Sequence, residues 1–236
     1  MIKKNILFLL FLTLANTSEY PFKIGETLNY SAFFSNIKAA KGSLKVINTE
    51  KVNNIETYHV QFKAKTSGFI NRIFPINDVI DLWLNKKNLI PVRVRSNIKE
   101  GRFVKKEDIL FFQDQQYVII DNKKIQFKEE IHSPYSLFYF FRNQNLKNFN
   151  GSKINTIQNK KTNHLTLNIE TNIIVKVPAG NYKCTKVEPL KVDNENFKNN
   201  ATMEIYFSED KNKYPVKIKI QLKYGSLVLK LEEVIS

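Results

Sequence analysis

The side chains that could do chemistry are few and poorly grouped. His59, His132 and His164 show no metal-ligand spacing among themselves and read as strand or surface histidines. A serine hydrolase would need a nucleophile on a sharp turn, and no Gly-x-Ser-x-Gly occurs; Ser67-Gly68 and Gly42-Ser43 read as turn punctuation. Glu209 and Asp210 could form a carboxylate pair for acid-base work. Lys211, Asn212 and Lys213 follow them, so a turn between strands is the simpler reading. Asp78 and Asp81, set among Ile80 and Leu82, read as wet-face strand residues opposite basic neighbours, and Asp108 reads the same way. The single cysteine, Cys184, can form neither an intrachain disulfide nor a Cys-based zinc site and reads as a small buried hydrophobe. Glu26, between Gly25 and Tyr30, reads as a polar group holding the start of the first strand. The sequence thus offers no catalytic, cofactor-binding or metal-binding residue.

The most informative stretch is aromatic. Five of the seven residues from Tyr135 to Phe141 are aromatic, the exceptions being Ser136 and Leu137. Ser133 suits a helix N-cap and Pro134 a first helical position, which predicts a helix over Ser133 to Asn143. A helix with aromatics on nearly every side cannot face water. Either it plugs a concave sheet as core, or part of it lines a cleft for an acyl chain or an apolar peptide. Phe69, Ile70, Ile73, Phe74 and Trp83 could join either arrangement. The candidate residues for a hydrophobic ligand are therefore Phe69, Phe74, Trp83, Tyr135, Phe138, Tyr139 and Phe141.

The elements around this helix alternate with period two. In Val216 to Tyr224, Val216, Ile218, Ile220, Leu222 and Tyr224 point one way while Lys217, Lys219, Gln221 and Lys223 point the other, as in a half-buried antiparallel strand. Gly225 and the alternating leucines 227, 229 and 231 complete a hairpin. Similar runs cover Tyr58 to Ala64, Ile80 to Leu84, Val92 and Val94 beyond Pro91, Phe103 to Phe112, and Gln116 to Ile120. Asp121-Asn122 then turns into Ile125 and Phe127. Leu165 to Ile169, Ile173 to Val177, and Ile205 with Phe207 continue the pattern. Roughly twelve short strands predict a mostly β protein: an antiparallel meander forming a curled sheet or half barrel, with one short aromatic helix on its concave face. Ser67 to Phe74 reads as a loop or a single helical turn, and Asn143 to Lys153 and Asp193 to Asn200 as polar loops.

The chain has 236 residues, of which 42% are hydrophobic and 12% aromatic, enough for a real core. Residues 1–18 read as a secretory signal: Lys3 and Lys4, then an apolar run from Ile6 to Leu14, then small or polar residues to Ser18. The run is shorter than the roughly 20 residues of a comfortable transmembrane helix, leaving an uncleaved anchor as the rival. Residues 19–236 then form one domain in the periplasm, with no further spanning segment. The net charge of +15 falls to +13 without Lys3 and Lys4. The lysines alternate with apolar residues along the strands and no RNA-binding signature is present, so the charge reads as a solvated surface rather than a nucleic-acid site.

Several motifs share one order with a known family. Phe22-x-x-Gly25-Glu26-x-Leu28-x-Tyr30 opens the chain after the signal. Ser133-Pro134-Tyr135-Ser136-Leu137-Phe138-Tyr139-Phe140-Phe141-Arg142 follows mid-chain, then Pro178-Ala179-Gly180-Asn181-Tyr182-Lys183-Cys184. Ile205-Tyr206-Phe207-Ser208-Glu209-Asp210 leads into Tyr214-Pro215-Val216 and Gly225-Ser226-Leu227. The chain resembles the DUF3108 family of exported bacterial proteins over nearly all of its length after residue 18. The family pattern has Asp-Pro-Leu-Ser where Ser133 to Ser136 stand, and a Trp where Tyr206 stands; both changes keep capping ability or aromaticity. The resemblance implies export and a mostly antiparallel sheet, and no reaction.

These readings converge on a non-enzymatic periplasmic protein that binds a hydrophobic ligand, or a lipid-bearing envelope partner, on the concave side of its sheet. The rivals are an envelope assembly module with a dry core, working through protein contacts, and a cell-wall hydrolase, which would need convergent carboxylates or a metal.

Overall fold

The computed structural model describes residues 20–158, 160–191, 202–222 and 225–236. The signal-like segment 1–18, the polar stretch 193–200 and Tyr224 lie outside them. Fifteen strands are found among the described residues: β1 (Thr27–Phe34), β2 (Ile37–Val52), β3 (Ile55–Thr66), β4 (Asn77–Asn85), β5 (Pro91–Glu100), β6 (Phe103–Phe112), β7 (Tyr117–Ile120), β8 (Lys123–Gln126), β9 (Ile131–His132), β10 (Lys153–Gln158), β11 (Lys161–Val177), β12 (Gly180–Lys191), β13 (Thr202–Ser208), β14 (Pro215–Leu222) and β15 (Gly225–Ile235). They form one sheet in the order β8-β7-β6-β5-β4-β3-β2-β1-β15-β14-β13-β12-β11-β10-β9. β1 is the pivot. It pairs antiparallel with β2 on one side and β15 on the other, so the first and last strands meet mid-sheet and two meanders run outward. Among the described residues only β9 and β10 pair in parallel.

The expected curled sheet is therefore present, with three more strands than the alternation had indicated. β2, β9, β10 and β12 were missing from that reading. In β2 the inward positions Ala40 and Gly42 are too small to register as an apolar run. The runs at Leu165 to Ile169 and Ile173 to Val177 prove to be one strand, β11, interrupted by a bulge after Glu170 with Asn172 at positive φ. Asp121 and Asn122 both take positive φ in the β7–β8 hairpin, as a two-residue hairpin turn requires.

Two short helices interrupt the strands, α1 (Ile70–Ile73) and α2 (Leu137–Arg142). α1 is the single turn expected within Ser67 to Phe74. α2 is shorter than the helix expected over Ser133 to Asn143, and Ser133 is not its N-cap. Ser133 to Ser136 first close a turn of their own: the Ser136 amide donates to the Ser133 carbonyl at 3.0 Å, and the Ser133 amide donates to Ser136 Oγ at 3.1 Å. That turn consumes the capping groups before the helix starts. α2 buries Leu137, Phe138, Tyr139, Phe141 and Arg142 against the concave face.

Among the described residues the end strands β8 and β9 do not pair, so the sheet curls without closing. One side chain bridges the seam. Gln113, in the 3-10 turn after β6, donates from Nε2 to the Ile131 carbonyl at 2.8 Å and accepts from the Ile131 amide at 3.3 Å. It thus satisfies both backbone groups of fully buried Ile131, as a neighbouring strand would. Gln113→Ala leaves both groups unmade, so a loss of about 1–3 kcal/mol and faster exchange of the Ile131 amide are expected, read by denaturant melts and hydrogen exchange.

Candidate functional site

The two ends of the curled sheet differ. At one end the chain closes the bottom. Arg142, the last residue of α2, is almost fully buried and its guanidinium is saturated. It donates from Nη1 and Nη2 to the Glu26 carboxylate at 2.6 and 3.0 Å, from Nη2 to the Pro21 carbonyl at 2.6 Å, and from Nε and Nη2 to the Asn212 carbonyl at 3.2 and 3.0 Å. The rings of Phe22, Tyr139 and Tyr214 lie 5.4–5.5 Å from its guanidinium carbon. Burial pulls the guanidinium toward neutrality, but the Glu26 carboxylate outweighs it and the pKa of Arg142 is raised. Burial likewise holds the Tyr139 hydroxyl well above the ordinary phenol range. Tyr30, on the central strand β1, donates to the Pro215 carbonyl at 2.9 Å. The residues that carried the family resemblance, from Phe22 and Glu26 through Tyr139 and Arg142 to Tyr214 and Pro215, thus converge on one structural anchor. It ties the plug helix to the N-terminal segment and to the β13–β14 turn. Glu26 holds more than the start of a strand, and the pairing partner 116 residues away was not visible in any local pattern.

At the other end the concave face is not filled. Small residues face inward in adjacent rows. Ala32 and Ala40 are cross-strand partners, and Gly42 on β2 faces Ala64 on β3, which faces Asp78 on β4. Between this patch, Pro134, Tyr135 and Phe138 of the plug segment, and Ile218 and Leu229 across the sheet lies a cavity of about 420 Å³. That is within the range of small-molecule sites. The walls are predominantly apolar.

Several polar groups line the cavity on one side. Asp78, Ser96, Glu100, Lys105 and Glu107 project inward from β4, β5 and β6. Asp78 corrects the wet-face expectation. It shares the parity of Ile80, Leu82 and Leu84, so it faces the core, and only Asp81 is on the outer face. Its Oδ1 accepts from the Lys99 amide at 2.8 Å. Asp78 and Glu100 hydrogen-bond through their carboxyl groups. Burial raises the pKa of both, and the backbone donor on Asp78 leaves Glu100 the better holder of the shared proton. Tyr135 faces this pair. Burial and then the Asp78, Glu100 and Glu107 charges push its hydroxyl up to about 12. Lys105 pairs with Glu107 at 2.9 Å.

Carboxyls with raised pKa values bind more protons in the folded than in the unfolded chain. Their stabilising share is complete below the unfolded pKa and is lost as pH rises through the folded value, from about pH 4 upward. Glu100→Gln is therefore expected to remove part of the loss of stability between pH 4 and pH 7. Urea melts of the variant and the wild type at the two pH values measure the difference; parallel losses would contradict the pairing.

The seven ligand candidates separate into four places. Tyr135 and Phe138 line the cavity. Tyr139 and Phe141 belong to the closed end and its core, Phe141 lying 6.0 Å from Phe207. Phe69 and Phe74 flank α1 and are exposed. Trp83 is on the outer face, stacked on His59 at 4.7 Å, bonded to Glu50 at 2.6 Å and flanked by Arg93 and Arg95. Strand alternation put it opposite Leu82 and Leu84. The inward small residues Ala32, Ala40, Gly42 and Ala64 were not singled out as a site, because small side chains leave no hydrophobic signal.

The remaining polar candidates stand apart. Asp81 accepts from Gln61 and contacts His59 at 2.9 Å, while Asp108 pairs with Arg93 at 2.5 Å, both on the outer face. Glu209 accepts from the Asn172 amide, and Asp210 Oδ1 from the Asn212 amide within the β13–β14 turn. Asp78 lies at the opposite end, so these three carboxylates do not converge. His132 meets Glu130 at 3.0 Å and His164 meets Asn155 at 2.6 Å. Burial pushes the Cys184 thiol up to about 12, which leaves it protonated and unreactive. Among the described residues no group of three or more His, Cys, Asp and Glu could hold a metal ion, and no helix is long and apolar enough to cross a membrane.

This is a half-barrel plugged by a helix, with a closed end and an open one. The family described as "Protein of unknown function (DUF3108)" matches residues 29–232, and the chain belongs to it. A search of curated proteins finds no match. Among solved structures, a β-barrel-like DUF1849 protein from Brucella abortus is similar with a TM-score of 0.56 at 8% identity, over 90% of this chain and 97% of that one. A Bacteroides fragilis protein with a YmcC-like fold gives a TM-score of 0.40 at 9% identity, over 92% and 98% of the two chains. The first likeness supports the curled β-sheet architecture.

Proposed function

We propose that this protein is a non-enzymatic component of the bacterial envelope that holds one apolar chain, from a lipid or a lipid-bearing partner, inside its half-barrel. The observation that carries the reading is the cavity of about 420 Å³ beside α2. Core volume is normally filled to the density of an organic crystal, and unfilled apolar space forfeits its dispersion contacts. Here four small inward residues keep that space open next to a helix whose aromatics could have filled it. The Asp78–Glu100 pair and Lys105 stand where the polar end of such a ligand would emerge. The signal-like segment supports a place outside the cytoplasm, and the basic surface suits an approach to anionic headgroups.

Titration with an environment-sensitive apolar dye tests the reading. Saturable one-to-one binding, reversed by added fatty acid or lysolipid, is expected; fluorescence that rises without saturation or displacement would remove it.

A further inference from the structure

Seven of the eleven large apolar residues that are exposed among the described residues lie at the open end of the sheet. They are not scattered there. The β1–β2 hairpin tip, the α1 connection and the β5–β6 hairpin tip stand side by side. The Ser67 amide donates to the Ala39 carbonyl at 3.4 Å, the Gly101 amide donates to the Pro75 carbonyl at 2.8 Å, and Ile76 bridges Glu100. Thr66 accepts from the Ile76 amide at 2.8 Å and donates to Asn71 at 2.8 Å, which fixes the α1 connection on its stem. Gly101 is at positive φ with no room for a Cβ, because the Phe74 ring lies across it at 2.9 Å from where that atom would be.

Each tip presents apolar side chains next to one cation. Ile37 (63% exposed) precedes Lys38. Phe69 (69%) and Ile73 (65%) flank Arg72. Phe103 (56%) and Val104 follow Arg102. Residues 34–38, 67–76 and 101–104 contain no Asp or Glu. Lys38 is paired with Glu232, and Glu100, next to the β5–β6 tip, is turned into the cavity with Asp78, so Arg72 and Arg102 are the outward-facing charges of the tips. Water-exposed phenylalanines on three neighbouring tips need a partner. Three separate apolar points interleaved with cations fit a fluid anionic surface better than a shaped protein face.

We propose that these tips form a membrane-docking rim, in which Ile37, Phe69, Ile73 and Phe103 enter the interfacial layer of an anionic leaflet while Arg72 and Arg102 meet its phosphates. Phe103 and Ile76 also line the cavity, so the docked rim would place the opening against the bilayer. The inference rests on the exposed tips and stands whether or not the cavity holds a chain.

Flotation of the full chain with phosphatidylcholine vesicles, with and without phosphatidylglycerol, tests it. The wild type is expected to float with the anionic vesicles and to be released by salt. Phe69→Ser with Phe103→Ser, and separately Arg72→Glu with Arg102→Glu, should each reduce the bound fraction at least ~10-fold with melting curves unchanged. Ala64→Phe, which fills the cavity and leaves the rim intact, should float like the wild type; its loss of dye binding would be read separately. Tip variants that float like the wild type would overturn the proposal and assign any membrane binding to the apolar segment 6–14, which all forms share. No flotation of any form would overturn it as well and leave the rim to a protein partner.

Discussion

Arg142→Ala is expected to lower the unfolding midpoint by roughly 6–20 °C, corresponding to about 3–5 kcal/mol for removing one partner of a buried ion pair. The size of the effect follows from what is stranded. Glu26 stays buried with its charge uncompensated, and the Pro21 and Asn212 carbonyls lose their donor. Arg142→Lys should recover only part of the loss, because an ammonium has three donors and cannot reproduce the planar fork that reaches a carboxylate and two carbonyls together. Glu26→Leu combined with Arg142→Met removes both charges and should be markedly more stable than either single variant, leaving the two carbonyls as the residual cost. Thermal melts followed by circular dichroism distinguish these outcomes. An Arg142→Ala protein that melts with the wild type would show that the anchor does not hold the closed end together.

Ala64→Phe is expected to abolish ligand binding, with at least a ~10-fold loss of dye affinity, while changing stability by less than about 1 kcal/mol. Large-for-small substitutions are usually costly because a dense core has no room. Ala64 instead faces open space, between Gly42 and Asp78 in the same cross-strand row. The added ring would occupy the volume proposed for the chain. Trp83→Ala is the matched control. It removes a large aromatic from the outer face, so it should leave binding unchanged. Unimpaired binding in Ala64→Phe, or a loss in Trp83→Ala, would put the ligand somewhere other than the concave side.

Strands with strong alternation were legible from residue types alone. The Val216–Leu222 run and the Asp121-Asn122 hairpin took the form that their periodicity and turn chemistry demanded, and the aromatic segment before Arg142 is helical, though it starts later than its capping residues indicated. What escaped was of two kinds. Strands with small inward residues, β2 above all, gave no apolar rhythm, yet those same residues make the cavity. Contacts distant in the chain gave no local signal: Glu26 meets Arg142, and Asp78 meets Glu100, only because the sheet curls. Two hints were nonetheless present. Asp78 is in phase with Ile80, Leu82 and Leu84, which placed it inside. Arg142 ends a helix that is otherwise aromatic and buried, which demanded a buried acceptor. Trp83 was grouped with the helix by hydrophobicity, although its position opposite Leu82 and Leu84 assigned it to the other face.

The central claim is that the half-barrel carries an apolar chain, and native mass spectrometry of the protein purified from its own envelope tests it most directly. A complex heavier than the chain by one lipid or acylated species, absent from the Ala64→Phe protein, is the predicted result. A clean mass for the wild type, with no lipid in the organic extract and no dye binding, would contradict the account and leave the cavity as unfilled core.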